Sequence, residues 1–239
     1  MRGNSRVKAV VARVQVAVTV LSFFVVSMAA GFYATIYLPA QRASRFASCR
    51  NHATFVGLAL DNHLLRHGRF PHVPGLAGED LFCRLNFGQV GQNCHAGAPG
   101  QFHGGWQMVN ASPKSWDQIV RAMKGEAIPI IWCGRPHTPG GHYKGKVRIV
   151  IAIADYARGC DSLAHLIDEC TDVYPDGERR LGSWRMIFYG MSDGELAAKL
   201  SVVNSILRRN GEAETPLDVT GRKDYWKIAK PYQGSLKDR

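Results

Sequence analysis

Residues 14–38 contain no Asp, Glu, Lys, Arg or His. A helix of 25 residues, rising about 1.5 Å per residue, exceeds the roughly 30 Å hydrocarbon core of a bilayer. The run therefore predicts a transmembrane helix, with Phe32, Tyr33 and Tyr37 as aromatic anchors at one interface. Two alternatives are a signal peptide cleaved after residues 27–29 and a buried core helix.

Acidic residues are scarce, with 19 Asp and Glu against 30 Lys and Arg, and residues 1–13 contain no acidic residue. Four bases lie in that segment, so the remaining chain has 26 basic and 19 acidic residues, a net charge of +7. This excess favours anionic surroundings such as lipid headgroups, wall polymers or nucleic acid, or simply a solvated surface. A hydrophobic content of 46% with 21% charged residues favours a folded chain over a disordered one.

Cysteine is absent from the first 48 residues. The six cysteines are Cys49, Cys83, Cys94, Cys133, Cys160 and Cys170. An even number on one side of the apolar run is typical of disulfides in an oxidising compartment, although the irregular spacing leaves the pairing open. Four bases before the run and three soon after it give almost no orientation bias, so the cysteines favour a cytoplasmic N-terminus and an extracytoplasmic C-terminal part.

The chain divides by composition into five segments. They are a basic cytoplasmic N-terminus (1–13), the transmembrane helix (14–38), an amphipathic stalk helix (39–68), an extracytoplasmic α+β domain (69–221) and a basic tail (222–239). Pro39 predicts a helix kink, because proline has no backbone donor and crowds the preceding turn. The stalk carries an apolar stripe that we expect to pack against the strands of the domain. The stripe comprises Ala43, Phe46, Ala53, Val56, Leu60 and Leu64.

Within the domain, residues 69–114 are predicted to form loops with a few short strands. Residues 127–133 and 146–154 predict an antiparallel pair of strands, and residues 184–189 predict a further strand. Ser115 fits the first position of a capping box for a helix ending at Lys124, and Asp161 suits the start of a helix through Cys170. Ser192 or Asp193 begins the clearest helix, with Leu196, Leu200, Val203 and Leu207 on one stripe and Gly211 after its end. The expected fold is α+β with an antiparallel sheet.

The stretch from residue 38 to residue 71 resembles the bacterial prepilin-type, pseudopilin-like proteins that end in a His-x9-Asp-Gly domain. The resemblance lies in "LPA" closing the apolar helix, a basic Ala/Arg/Ser stretch, Cys49 followed eight residues later by "GLAL", then "NH" and "GRFP". It implies a long N-terminal helix packed on an antiparallel sheet. It also implies a structural role in the bacterial envelope, associated with secretion or pili, without catalytic activity, cofactor or small-molecule substrate. The implied partners are the lipid bilayer and other pilin-like proteins.

The family's processing motif is degenerate in this chain. Thr19 matches it, but Ala17 occupies the position of the Gly before the scissile bond at Val18, and Ser22 that of the recognition Glu. These departures argue against peptidase processing and filament assembly. The C-terminal motif is degenerate too, because His142 lies 13 residues before Asp155, which precedes Tyr rather than Gly.

Two other function classes remain open. Cys94, His95, Cys133, His137 and His142 are candidates for a zinc or thiol site, since zinc prefers sulfur and nitrogen ligands, but their spacing supplies the known patterns only in part. A Cys/His hydrolase lacks any pattern that orients a base toward a nucleophile. A secreted or anchored module that binds an anionic polymer is the alternative to the structural role.

Overall fold

The computed structural model describes residues 3–76, 78–85, 105–139, 145–154, 160–169, 171–173, 179–181 and 186–218. Its helices are α1 (Gly3–Phe32), α2 (Leu38–His67), α3 (Gly78–Leu85), α4 (Pro113–Ala122), α5 (Leu163–Glu169) and α6 (Asp193–Arg209), with a π-helical turn at Tyr33–Tyr37. Its strands are β1 (Trp106–Met108), β2 (Ala127–Cys133), β3 (Val147–Ala154), β4 (Thr171–Val173), β5 (Arg179–Leu181) and β6 (Met186–Ser192). The architecture is α+β, as the sequence predicted.

The chain separates into two compact units, Met1–Ser44 and Arg45–Arg239. The first unit is helical throughout its described part, and its large apolar side chains are exposed; Phe23, for example, is 76% exposed. One helical stretch in the described residues, Arg13–Leu64, has the length and apolar composition needed to cross a membrane. A signal sequence has the same properties.

The π-helical turn ends two residues before Pro39. Within it the Leu38 N–H donates to the Tyr33 carbonyl, five residues back, rather than to the usual carbonyl four back. Pro39 is the second residue of α2 and has no N–H to donate to a carbonyl of the preceding turn. The structure thus accommodates the proline by a change of hydrogen-bond register. The kink expected at Pro39 stays a prediction.

Helix α2 presents one apolar stripe to the core of the second unit. Cys49, Ala53, Val56 and Leu60 are fully buried, and Leu64 is nearly so, at positions three or four residues apart that share one helix face. The predicted stripe is confirmed from Ala53 onwards. Ala43 is exposed, so its assignment to the stripe was wrong. Gly68, with φ of 62°, ends the helix as predicted.

The main sheet has the order β1-β2-β3-β6, with every neighbouring pair antiparallel. The register shifts between Pro129 and Ile131, where the extra residue Ile130 accepts a hydrogen bond from the Val109 N–H instead. Because proline cannot donate to a ladder, a bulge beside Pro129 is the expected accommodation. Strands β4 and β5 pair separately.

Strands β2 and β3 are the central strands of this sheet. Val147, Ile149, Ile151 and Ile153 alternate along β3 and so share one face, and all four are buried. Arg148, Val150 and Ala152 on the other face are buried as well. The sheet is therefore covered on both faces, which alternation in the sequence did not indicate.

Three helix assignments from the sequence need correction. Ser112, rather than Ser115, is the N-cap of α4, because Pro113 takes the first helical position and the Ser112 hydroxyl accepts from the Ser115 N–H. Ser162, rather than Asp161, offers its hydroxyl to the start of α5. Leu81 and Phe82 lie in α3, within a stretch predicted to be loops and short strands.

The prediction for α6 is confirmed. Ser192 caps it by accepting from the Glu195 N–H, and the four stripe residues are buried. Gly211 follows with φ of 70°, a conformation that glycine adopts without strain. The predicted strand at 184–189 is observed as β6, at 186–192. The basic tail, Asp155 and Cys170 lie outside the described residues.

A buried arginine joins the sheet to the segment after α6. Arg148 is 1% exposed, and its guanidinium donates to Asp193 at 2.8 Å, to Asp218 at 2.6 Å and to the Leu217 carbonyl at 3.1 Å. Burial alone would lower the pKa of Arg148, but its hydrogen bonds to the two carboxylates, together with their negative charges, outweigh this effect and raise the pKa. The charge is thus held permanently inside the fold.

A second polar cluster holds the start of α4. The Glu212 carboxylate accepts from the Ser112 hydroxyl and the Ser115 hydroxyl, both at 2.6 Å, and from the Ser112 N–H at 2.9 Å. Burial favours the neutral carboxyl, but these three donors prevail and lower the pKa of Glu212. A carboxylate at a helix N-terminus is also favoured by the helix dipole.

The α2 stripe can be tested by a matched pair of substitutions on one helix. Leu60→Ala should lower the free energy of unfolding by about 3 kcal/mol, because Leu60 is fully buried and its removal leaves a cavity. Leu58→Ala should change it by less than about 0.5 kcal/mol, since Leu58 is 54% exposed. Urea denaturation of the full chain in detergent measures both. Equal effects would show that α2 does not pack by this face.

The Glu212 cluster predicts acid sensitivity. Because folding lowers the pKa of Glu212, its contribution is present above the ordinary value of 4.5 and is lost as the pH falls through the folded-state pKa. Glu212→Gln should therefore be less stable at pH 7 and should lose less stability between pH 7 and pH 4. Thermal unfolding across this range measures the difference, with Asp161→Asn, an exposed substitution, as control. Parallel pH profiles for wild type and Glu212→Gln would contradict the assignment.

Candidate thiol and imidazole site

Two cysteines and a histidine converge in the core of the second unit. Cys49 comes from the apolar stripe of α2, and Cys133 is the last residue of β2. His137 follows four residues later and is fixed by two backbone bonds with Val147, at 2.7 Å and 2.9 Å. The Gly134 N–H bonds to the Gly105 carbonyl, which directs the chain out of β2. Helix, strand end and loop therefore each supply one side chain.

The three side chains are close and shielded from solvent. The Sγ atoms of Cys49 and Cys133 lie 4.0 Å apart, and Cys133 Sγ lies 3.2 Å from His137 Nε2. One ligand atom from each residue falls within 4.8 Å of the other two. Both cysteines are 0% exposed and His137 is 4% exposed. The Phe46 ring lies edge-on to the imidazole, with centroids 5.7 Å apart.

This donor set is capable of two kinds of chemistry. Thiolate sulfur and imidazole nitrogen are ligands for zinc and other soft or borderline metals. Two thiols beside a proton acceptor are also suited to disulfide formation, since the thiolate is the reactive form. Which nitrogen of His137 carries the proton decides whether Cys133 donates or accepts in the 3.2 Å contact.

The structure brings together two of the five residues proposed from sequence as metal ligands. Cys133 and His137 are in contact, whereas Cys94, His95 and His142 lie outside the described residues. Cys49, which the sequence suggested only as a disulfide cysteine, is the third member. Cys160 is buried, and Cys83 lies in α3. The disulfide prediction for the six cysteines stays a prediction.

Sequence reasoning missed the contribution of Cys49 and the role of Arg148. The signal for Cys49 was present, because it lies four residues before Ala53 and so continues the buried stripe. No comparable pattern indicated a role for Arg148, which lies among the apolar residues of β3. It also donates to the Cys133 carbonyl at 3.4 Å, so it contacts the backbone that carries the site.

The degenerate processing motif lies on a different part of the chain. Ala17, Val18 and Ser22 are exposed positions within α1. The Thr19 hydroxyl bonds to the Gln15 carbonyl at 2.9 Å, within the same helix. The motif is therefore presented on an intact helix surface.

Comparisons with protein-family models, with curated proteins and with solved structures gave no match to this chain. Its function must therefore be inferred from its own residues.

The burial of the site predicts low thiol reactivity. In the reduced full chain in detergent, Cys49 and Cys133 should be alkylated by iodoacetamide about tenfold or more slowly than in urea, because the reagent cannot reach a sulfur with no exposed surface. Mass spectrometry of tryptic peptides gives the rate at each cysteine. Similar rates in both solvents would contradict the packing described here.

Proposed function

We propose that this protein is a membrane-anchored, pseudopilin-like structural and interaction protein of the bacterial cell envelope, without catalytic activity. Residues 14–38 form a single inner-membrane span, with the N-terminus in the cytoplasm and the α+β unit outside it. The observation that carries the proposal is the contrast between two consecutive helices. The apolar side chains of α1 are exposed, whereas those of the α2 stripe are buried.

An exposed apolar helix of this length requires a non-aqueous partner. Val18, Leu21, Phe24 and Val25 are each more than half exposed, and exposing apolar surface to water is unfavourable by roughly 25 cal/mol per Å². In a bilayer that surface contacts hydrocarbon instead. The polar groups of the segment are also partly satisfied internally, since the Thr19 and Thr35 hydroxyls bond to carbonyls four residues back.

The architecture of the second unit supports the pseudopilin-like part of the proposal. The sequence from residue 38 to residue 71 resembles that family, in which an N-terminal helix packs on an antiparallel sheet. Here α2 supplies a buried stripe to the core that contains the sheet β1-β2-β3-β6. A helix that is half anchor and half core element suits a protein that acts through contacts with neighbours in the envelope.

The first experiment is to determine the N-terminus and intact mass of the chain recovered from bacterial membranes. We expect a chain that retains residues 1–17, because Ala17 and Ser22 replace the residues that the prepilin peptidase recognises. A start at Val18 would contradict the unprocessed state and would make assembly into a filament possible. A start near Ala30 would make the protein secreted and overturn the anchor.

A restored motif provides the matched control. The double variant Ala17→Gly with Ser22→Glu should be cleaved before Val18 when a prepilin peptidase is co-expressed, while the wild type is not.

Digestion of spheroplasts with an added protease tests the orientation, and the second unit should be accessible. Protection of that unit in intact spheroplasts would reverse the proposed topology.

A further inference from the structure

We propose that Cys49 and Cys133 are joined by a disulfide that ties α2 to the end of β2, and that His137 accepts the proton that must leave Cys133. Only the supply of oxidant depends on the proposed function, because an extracytoplasmic unit meets an oxidising compartment. The chemistry itself depends on the geometry of the site.

The distance between the two sulfurs is short enough for bond formation. The Sγ atoms are 4.0 Å apart, and a disulfide brings them to about 2.05 Å, so the side chains must approach by about 2 Å. The Gly134 N–H bonds to the Gly105 carbonyl, so the backbone after Cys133 is held in place. In this proposal, rotation of the two cysteine side chains closes the gap.

A closed metal site is the alternative for the same side chains, and the test below distinguishes the two. Three ligands converge here among the described residues, and a structural zinc ion takes four. The imidazole has a role in the disulfide reaction without any fourth ligand, because a thiol reacts as its thiolate. The 3.2 Å contact from Cys133 Sγ to His137 Nε2 supplies an acceptor for that proton.

The reaction balances with a disulfide of low molecular mass as oxidant, such as glutathione disulfide. While α2 is undocked, the Cys49 thiolate attacks it, forming a mixed disulfide and releasing one glutathione. When α2 docks, Cys133 transfers its proton to His137 and its thiolate attacks the Cys49 sulfur, expelling the second glutathione, which takes up a proton. Two thiols are oxidised and one disulfide is reduced. The order follows from burial, since neither sulfur is exposed after docking.

Peptide mapping tests the pairing directly, because trypsin places Cys49 and Cys133 on separate peptides, neither of which contains another cysteine. Cys49 falls in peptide 46–50, and Cys133 falls in peptide 125–144, since the bond between Arg135 and Pro136 resists cleavage. The full chain is purified in detergent without reductant, alkylated and digested. We expect the two peptides to be joined, with a mass two hydrogens below the sum of the free peptides. Refolding the reduced chain with glutathione and glutathione disulfide should give the same product.

Three outcomes would overturn the proposal. They are alkylation of both peptides after refolding with glutathione disulfide, a link from either peptide to another cysteine, and a stoichiometric metal ion bound to two reduced thiols. Cys160→Ser is the control, since it removes a buried cysteine outside the site and should leave the cross-link intact. These results do not depend on the N-terminus or topology, so failure of the disulfide and failure of the membrane anchor are distinguishable.

The role of His137 has its own readout. His137→Gln should slow release of the second glutathione during refolding by about tenfold or more near neutral pH, and the rate should then rise with pH as the Cys133 thiol ionises without help. The final yield of cross-link should be retained. If the variant forms the Cys49–Cys133 disulfide at the wild-type rate, with the same pH profile, His137 has no part in the mechanism.

Discussion

The burial of one face of α2 is the constraint on which the second unit depends. Four fully buried residues, Cys49, Ala53, Val56 and Leu60, place the helix in the same core as the central strands. Without them, apolar side chains of the sheet would be exposed to water, at a cost proportional to the area uncovered. The same face also brings a thiol beside the end of β2, so the packing of α2 and the formation of the candidate site are one event.

Two polar side chains in the core, Arg148 and Trp132, fix the segment that follows α6. Arg148 reaches two carboxylates and the Leu217 carbonyl, and the Trp132 indole donates to that same carbonyl at 2.9 Å. A buried cation is tolerated because each of these acceptors compensates for lost hydration. Side chains at Trp132 and Cys133 point to opposite faces of β2. The segment at Leu217 and helix α2 therefore meet successive residues of one strand.

The exposure of the side chains changes between α1 and α2. From Gly3 to His67 the described chain is helical without a break, yet its side chains are exposed in α1 and form a buried stripe in α2. The change coincides with a change in composition, because the apolar run ends at Leu38 and the first basic residue after it is Arg42. A disulfide at Cys49 would fix the second helix to the sheet near the start of that stripe.

The sequence by itself determined the elements that rest on local rules. The bounds of β2, the cap and stripe of α6, the end of α2 at Gly68 and the apolar character of residues 14–38 all follow from periodicity, turn chemistry and charge, which act over a few neighbours. The tertiary structure alone decided the burial of both faces of β3, the paired carboxylates around Arg148 and the meeting of Cys49, Cys133 and His137. These contacts join residues up to 88 positions apart, from Cys49 to His137. No local pattern specifies which distant segments share a core, because that depends on how whole faces of helices and strands exclude water together.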